Sequence, residues 1–412
     1  MRKMIGGFLA GGTLTALLLA SALHAQELKL GKYNVQMHGF GTQGFVHTDG
    51  NNWLTMNTNG VGSGAFTDAG LNLGTQINDR LRIGAQVYDR KLGGLGDWHP
   101  SLDWAMVDFR VKPWLGFRGC KVKTVLGLYN DQQDLDFFNT YALLPQSVYP
   151  IDLREVMIAH EGGDIYGSIR LRKKLGSVNY TAYGGRRDDH MYGGYPYLVS
   201  HFMAGGSGGI KLTSEGGPVY GGDLRWKAPL RGLLVGASRI NEMITASGTM
   251  NMGGVVVPYT EWSKHEWQNQ FYGQFAANRW HAESEYRRYL RDTMTMGGTM
   301  EVINDVRGWY VAGGYRVMSR LEAGAYYSHY FDNTPSMNAP GSPAAAAQAV
   351  YEYDKVVTGK FDVNRFISIK VEGHFIDGAG NGPYPCGFYG AQNPNGFQPN
   401  TNALVVRTSY SF

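Results

Sequence analysis

Polar and apolar residues alternate with a period of two along most of this chain. Between positions 71 and 90, one face carries Leu71, Leu73, Ile77, Leu81 and Val87, and the other carries Asn72, Gln76, Arg82 and Gln86. A period of two predicts a pair of β-strands, with the turn at Asn78-Asp79. Soluble half-buried sheets show the same local pattern, so this hairpin alone does not decide what covers its apolar face.

Sixteen segments show this alternation, and their lengths suit tilted membrane strands of roughly 9–11 residues. The predicted strands are 33–48, 70–77, 81–90, 102–112, 122–129, 164–172, 177–185, 219–227, 232–243, 267–276, 281–290, 307–315, 321–331, 352–361, 366–376 and 403–412.

The predicted connections alternate strictly between short turns and longer loops. The short turns lie near 78–79 and at 112–121, 173–176, 228–232, 277–280, 316–320 and 362–365. Outer-membrane barrels have short periplasmic turns, longer extracellular loops and an even number of strands. A soluble sandwich would need a core that the polar inner faces do not supply, whereas a closed barrel turns its apolar face to lipid. We therefore predict an all-β transmembrane, up-and-down antiparallel barrel that forms one domain over residues 26–412.

The two ends of the chain support export to an outer membrane. Arg2 and Lys3 precede an apolar run with small-residue exits at Ala22 and Ala25, which predicts a secretory signal peptide over residues 1–25 with cleavage after either alanine. No later apolar run approaches the roughly 18 residues of a spanning helix. The last residues, ALVVRTSYSF, resemble the terminal strand of bacterial outer-membrane proteins. This resemblance implies that Tyr410 and Phe412 form an insertion signal for the barrel-insertion machinery.

Charge and cysteine content narrow the function further. Removing Arg2 and Lys3 lowers the formal charge from +4 to +2, which argues against a nucleic-acid binder because phosphate contacts need a concentrated basic face. The strand assignment places Cys120 in a short turn and Cys386 in a long loop, at opposite ends of strands about 30 Å tall. Bridged Cα atoms lie within about 7 Å, so we expect no disulfide between them.

The third long loop, residues 130–161, combines length, apolar residues and dense negative charge. Its acidic residues include Asp131, Asp134, Asp136, Asp152 and Glu155, against a single base, Arg154. We predict that this loop folds inward as a constriction, with Phe137, Phe138, Leu143 and Leu144 on the wall and the carboxylates in water. An extracellular lid that only covers the rim remains an alternative.

Residues on the polar phase of the early strands are mainly basic. The predicted pore-lining bases are Arg82, Arg110, Lys112, Lys123, Arg170, Arg172, Arg225 and Lys227. The later strands are mixed and carry Glu283, Glu285, Arg287, Glu322, Lys370, Glu372 and Arg407. A basic wall that faces an acidic loop sets a field across the lumen and favours small polar or zwitterionic solutes.

One segment adds a resemblance to a known family. Lys121-Val122-Lys123, Gly127-Leu128-Tyr129-Asn130 and Leu144-Pro145-Gln146-Ser147-Val148-Tyr149-Pro150 are similar to the phosphate-selective porin-like family of bacterial outer-membrane porins. The resemblance implies a porin, commonly a homotrimer. It does not imply phosphate as the solute, because the loop holds one arginine among its acids. Since sixteen strands leave an aqueous passage, we predict a passive diffusion channel for small hydrophilic solutes or ions that lies in outer-membrane lipid and needs no cofactor.

Two other classes of function stay open. Gly205-Gly206-Ser207-Gly208-Gly209 matches the nucleophile motif of a lipid hydrolase, but that motif needs a strand-turn-helix setting, so we expect no enzyme. The histidines lack metal-binding spacing, and Asp131, Asp134 and Asp136 fit a solvated acidic loop better than a Ca²⁺ site. A sealed adhesin or structural barrel is the remaining alternative, which conductance would distinguish from a porin.

Overall fold

The protein is a closed β-barrel in the computed structural model, which describes residues 26–134, 136–172, 174–202, 209–333, 347–380 and 386–412. The predicted signal peptide, residues 1–25, lies outside the described residues. The strands, in chain order, are β1 (Gln26–Leu30), β2 (Tyr33–Asp49), β3 (Ser63–Asn78), β4 (Leu81–Leu92), β5 (Ser101–Lys112), β6 (Leu115–Lys123), β7 (Ala159–Arg170), β8 (Ser177–Asp188), β9 (Ile210–Lys227), β10 (Leu233–Glu242), β11 (Thr245–Met252), β12 (Val255–Ala277), β13 (Trp280–Thr295), β14 (Met300–Met318), β15 (Leu321–Asp332), β16 (Tyr351–Asp362), β17 (Ile367–Gly378) and β18 (Asn400–Ser411).

These strands form a sixteen-stranded antiparallel ring, as predicted. The ring closes where β18 pairs with β2, with Ser411 opposite Phe40 and Asn402 opposite Asp49. β10 and β11 count as one strand of the ring because both pair with β9 on one side and β12 on the other. β1 pairs with the start of β2. Closure pairs the backbone groups around the ring, which a lipid environment requires.

The predicted strand 122–129 is wrong. The strand at this place is β6, Leu115–Lys123, and the short turn before it shrinks to residues 113–114. Pro113, Gly116 and Gly119 give residues 113–119 a composition that is typical of a turn. The strand forms nevertheless, and the ring of Tyr166 on the neighbouring strand covers Gly116. The alternating residues after Lys123 belong instead to a loop whose apolar side chains are buried.

Two of the predicted long loops are also wrong, because strands continue through them. β11 and β12 meet at a two-residue turn, residues 253–254, where both glycines have positive φ values of 61° and 97°. β13 and β14 meet at residues 296–299. Both hairpins extend the barrel wall on the loop side, because inward-facing residues such as Tyr259 and Glu261 still have buried partners there.

The hairpin of β3 and β4 has the predicted faces. Leu71 lies opposite Val87 and Asn72 opposite Gln86. Leu71 and Val87 are 44% and 49% exposed on the outer face, whereas Gln86 is 2% exposed on the inner face. Gln76 and Arg82 line an open cavity of about 530 Å³ at the short-turn end. The apolar face of this sheet therefore points outward, and its polar face encloses the lumen.

Exposed aromatic side chains mark the short-turn end of the outer face. They are Trp114, Trp226, Trp280 and Phe361. Aromatic girdles of this kind lie at the boundary between lipid and water in membrane barrels. No helix among the described residues is long and apolar enough to cross a membrane.

The loop end of the lumen contains an apolar core. A single helical turn, Arg154–Met157, and a short helix, Gly194–Phe202, lie in the loops. Buried residues from five separate loops pack together there, including Trp53, Leu95, Leu143, Leu198 and Phe388. The loops thus form a packed lid over the loop end of the barrel.

The cysteines are both free. Cys120 lies in strand β6 rather than in a turn, so the predicted position was wrong, because the strand begins earlier than the alternation suggested. Cys386 is buried in the lid.

A charge on the outer face tests the orientation of the wall. Leu71→Arg is expected to lower the free energy of unfolding in lipid vesicles by about 2–4 kcal/mol, because arginine is costly on the lipid face. Gln76→Arg, on the inner face of the same strand, is the matched control and should change stability far less. Urea titration of folded protein in vesicles measures both. Equal losses from the two variants would contradict the assigned faces.

Candidate functional site

The candidate functional site is the loop of residues 124–158, here called the inward loop, which connects β6 and β7. It begins six residues before the predicted loop and ends three residues before it. The loop enters the lumen and makes hydrogen bonds and ion pairs with strands on all sides of the ring. These contacts fix its position in the barrel.

The start of the inward loop is bound to β10 and β13. The backbone N–H of Gly127 donates to Ser238 Oγ at 2.9 Å, and that of Leu128 donates to Glu285 at 3.1 Å. The hydroxyls of Tyr149 and Tyr310 also donate to Glu285, at 2.7 and 2.8 Å. Several donors thus converge on this buried carboxylate, from the loop and from the wall.

The middle of the loop is bound to β17 on the other side of the lumen. The backbone N–H groups of Ala142 and Leu143 donate to the two oxygens of Glu372 at 2.9 and 3.1 Å. His374 lies 3.0 Å from Glu372 through Nε2 and 2.7 Å from Asp354 through Nδ1. The carboxylate of Glu372 thus accepts hydrogen bonds from the loop backbone, and the buried ring of His374 lies against that carboxylate.

Asp136 forms the densest ion-pair contact between loop and wall. Its carboxylate lies 3.0 Å from Lys370 and 2.9 Å from Arg407. Arg407 also pairs with Asp68 at 2.7 Å and donates to the carbonyl of Ala142. Burial alone would raise the pKa of Asp136, but Arg407 and Lys370 outweigh it and hold that pKa below its usual value.

The remaining charged residues of the loop are paired with the early strands. Asp134 accepts from Lys123 and from Gln86, both at 2.8 Å. Arg154 forms a two-pronged pair with Asp103 at 2.9 Å. Asp131 lies 3.6 Å from Arg225. Glu155 pairs with Arg90.

The expectation that the loop carboxylates stand in water is therefore wrong. Asp134, Asp136 and Asp152 are buried, and Asp131 keeps 24% of its side chain exposed. The basic wall compensates the charges, which a buried carboxylate needs. The apolar residues of the loop lie in two different environments. Leu143 is buried in the core of the lumen, whereas Phe138 is 70% exposed.

The predicted pore-lining bases fall into two groups. Lys123 and Arg225 contact the inward loop. The others lie towards the short-turn end of their strands, in or beside the turns: Arg82, Arg110, Lys112, Arg170, Arg172 and Lys227. Three further wall bases also bind the loop, namely Arg90, Lys370 and Arg407. In the sequence, these residues are marked only by their position on the polar face of β4, β17 and β18. The period of two does not show which residues of that face contact a loop.

The C-terminal residues lie where the ring closes. The backbone of Phe412 exchanges hydrogen bonds with Gly39 at 3.1 and 2.9 Å. The rings of Phe412 and Tyr410 cover Gly39 and Gly41, where an added Cβ would lie about 2.2 and 2.4 Å from the ring atoms. Both glycines are therefore required for this contact. The role of Tyr410 and Phe412 as an insertion signal stays a prediction.

Two cavities lie at the level of the loop. A small cavity of about 40 Å³ is bordered by Asp68, Tyr88, Arg154 and Arg407. A second cavity, of about 270 Å³, lies beside His38 and Phe138. Asp134 and Asp136 border both cavities, so this short segment separates them. A cavity of 40 Å³ holds on the order of one or two water molecules.

Metal binding and ester hydrolysis are the rival chemistries for this chain. Within the described ranges, no group of three or more histidine, cysteine or acidic side chains is placed to hold a metal ion. Asp131, Asp134 and Asp136 instead face different bases. The serine motif at 205–209 falls mainly outside the described residues.

Removal of the Asp136 charge tests the largest of these contacts. Asp136→Asn should lower the free energy of unfolding by about 3–5 kcal/mol, because it leaves buried Lys370 and Arg407 without their loop partner. Asp131→Asn is the matched control, with an expected loss below about 1 kcal/mol, since that side chain is partly exposed and its single base, Arg225, lies 3.6 Å away. Denaturant titration of both variants measures the difference, and equal effects would count against the assigned pairing.

Asp152 predicts a pH dependence of the lid. Its carboxylate is fully buried, accepts from the hydroxyl of Tyr389, and its Oδ1 has no hydrogen-bond partner among the described residues. Burial raises the pKa of Asp152 to about 6. An acid whose folded pKa is raised stabilises the fold at low pH and loses this contribution as pH rises from about 4 through 6.

Stability of the lid should therefore fall between pH 4 and pH 7, and Asp152→Asn should flatten that dependence. Limited proteolysis of the loops at fixed ionic strength measures it. A slope that is the same in the variant and the parent would contradict the assignment to Asp152.

Comparisons with known proteins give the fold and no family. No protein-family model and no curated protein matches the sequence. The fold is similar to the outer membrane channel DcaP of Acinetobacter baumannii (11% identity, TM-score 0.53, covering 95% of this chain and 100% of that one). It is also similar to an anion-selective porin from Comamonas acidovorans (9% identity, TM-score 0.52, covering 92% of this chain and 100% of that one). A third similar structure is OmpF of Salmonella typhi in complex with daunomycin (11% identity, TM-score 0.56, covering 94% of this chain and 100% of that one). The barrel thus has the architecture of solved outer-membrane porins.

Proposed function

We propose that this protein is an outer-membrane porin, a water-filled channel for passive diffusion of small hydrophilic solutes or ions. The observation that carries the proposal is a closed ring with an apolar outer face and a charged inner face, crossed by a loop that is bound to the wall by ion pairs. The solved channel and porins with the same architecture support it. Chemical catalysis is not part of this proposal, and diffusion needs no cofactor.

The inward loop would set the selectivity of this channel. Asp134 and Asp136 border both cavities at the level of the loop. Each is balanced by wall cations, namely Lys123 for the first and Lys370 with Arg407 for the second. Opposed charges of similar number favour polar or zwitterionic solutes over a strong preference for one ion. The six bases towards the short-turn end, including Arg82 and Arg110, would attract anions at the periplasmic mouth.

The resemblance at residues 121–150 suggests the phosphate-selective porin-like family and a homotrimer. Phosphate selection is not part of the proposal, because the cations nearest the constriction are already paired with carboxylates. Insertion of the barrel through its C-terminal strand, with Tyr410 and Phe412 facing lipid, belongs to the same proposal.

A sealed barrel is the second candidate function. The wall residues Lys370, Glu372 and His374 are completely buried, although they face a lumen that water would enter in an open pore. The loop lid, which packs buried residues of several loops together, also favours a closed state. A barrel of this kind would serve as an adhesin or a structural protein.

Single-channel recording decides between the two. Purified protein in a planar bilayer with a salt gradient should give discrete conductance steps. The combined variant Asp131→Asn, Asp134→Asn and Asp136→Asn should shift the reversal potential towards anions, because Lys123, Lys370 and Arg407 lose their counter-charges.

The matched control removes three acids that lie outside the lumen, with Asp97→Asn, Glu301→Gln and Asp377→Asn. It should leave the reversal potential unchanged. An absence of steps from folded protein would favour the sealed barrel. Steps without a shift in the loop variant would show that the inward loop does not set selectivity.

A further inference from the structure

Three arginines form a row on the outer face of the barrel. Arg239 lies opposite Asn269, Asn269 lies opposite Arg288, and Arg288 lies opposite Arg307, on the adjacent strands β10, β12, β13 and β14. The preceding residues on their strands, Ser238, Arg287 and Val306, are buried on the inner face. Because side chains alternate along a strand, the three guanidinium groups point away from the lumen.

The height of this row can be estimated from the short-turn girdle. Trp280 and Tyr315 lie opposite each other there, with ring centroids 4.4 Å apart. Arg288 follows Trp280 by eight residues, and Arg307 precedes Tyr315 by eight. Eight residues of a strand tilted by 35–45° rise about 19–22 Å. The row therefore lies near the far boundary of an apolar band about 25 Å tall.

Other outer-face residues agree with this height. Phe271, Val235 and Val311 are exposed just below the row. Trp309 stands beside Arg307, and the rings of His329 and Tyr353 are stacked 4.3 Å apart on the next strands. Aromatic residues at this level are typical of the second girdle of a membrane barrel. The row thus lies where lipid headgroups of the loop-side leaflet would be.

The row is ordered by its neighbours but keeps an excess of positive charge. Trp267 lies between Arg239 and Arg288, with their guanidinium carbons 5.0 and 5.4 Å from its ring centroid. Asp305 pairs with Arg288 at 2.9 Å and with Arg307 at 3.0 Å. The row thus holds three guanidinium groups and one carboxylate, since Asp305 pairs with Arg288 and Arg307 while Arg239 donates to the side-chain oxygens of Asn241 and Asn269. Like charges directly opposite each other destabilise a sheet, and a bound anion would remove that cost.

We propose that this row binds the phosphate of an anionic lipid headgroup in the loop-side leaflet, specifically a phosphorylated glycolipid. Guanidinium groups form charge-assisted hydrogen bonds with phosphate oxygens, and basic clusters at the membrane surface attract anionic lipids. Free phosphate offers the same oxygens, but the exposed apolar residues below the row match acyl chains. The inference rests on the proposed outer-membrane location, since that location supplies the lipid.

Binding of bisphosphorylated lipid A to full-length protein in dodecyl maltoside tests the proposal by native mass spectrometry. Replacement of Arg239, Arg288 and Arg307 by glutamine should weaken binding by about tenfold to a hundredfold. Asp305→Asn should strengthen binding, a gain that misfolding would not produce. The matched control, Arg279→Gln with Arg320→Gln and Arg365→Gln, removes three exposed charges at the short-turn rim and should bind like the parent.

Two further arms identify the source of the phosphate. Lipid A stripped of its phosphates should bind weakly, and inorganic phosphate at the same concentration should not displace the intact glycolipid. Displacement by inorganic phosphate would overturn the lipid assignment. Equal binding by the parent and the triple variant would overturn the site.

A triple variant that dissociates into monomers, with no glycolipid on the parent, would instead identify the row as a contact between copies and overturn the proposal. Conductance measured on the same samples separates this inference from the proposed function. A conducting barrel without bound glycolipid contradicts only the lipid site, and a glycolipid-binding barrel without conductance contradicts only the channel.

Discussion

The structure depends on one constraint, which is that backbone polar groups exposed to hydrocarbon must be paired within the protein. A ring of strands meets that constraint only if it closes, and here closure is made by β18 against β2. Once the ring is closed, its outer face can be apolar at the level of the hydrocarbon, and charged side chains at that level must lie inside. The ion pairs of the lumen and the aromatic residues at the rims follow from this arrangement.

A second constraint applies to the interior, because many charged side chains lie close together there and each needs a partner. The inward loop brings acids to a wall of bases, so that Asp134, Asp136 and Glu155 compensate Lys123, Lys370, Arg407 and Arg90. The wall carboxylates Glu285 and Glu372 in turn accept loop N–H groups. Buried ion pairs add little net stability but specify one geometry, which suits a loop that must hold a fixed position across a channel.

Periodicity predicted the strand number and the faces of the β3–β4 hairpin, because the membrane imposes a period of two on every strand, but the strict alternation of short turns and long loops breaks where β11 meets β12 and where β13 meets β14. It failed at residues 113–129, where glycines and a proline resembled a turn and apolar loop residues resembled a strand. It also failed at residues 244–266, where the wall continues past the membrane. The charge of the inward loop was visible in the sequence, but its pairing with Lys370 and Arg407 was not, since those contacts join residues more than two hundred positions apart.

Site-directed spin labelling along β3 measures the central claim most directly. Labels at positions 71, 73 and 77 should be accessible to oxygen dissolved in the bilayer, and labels at 72, 74 and 76 should be accessible to a water-soluble relaxing agent, with a period of two. The reverse pattern, or oxygen accessibility that does not depend on the bilayer, would contradict the account.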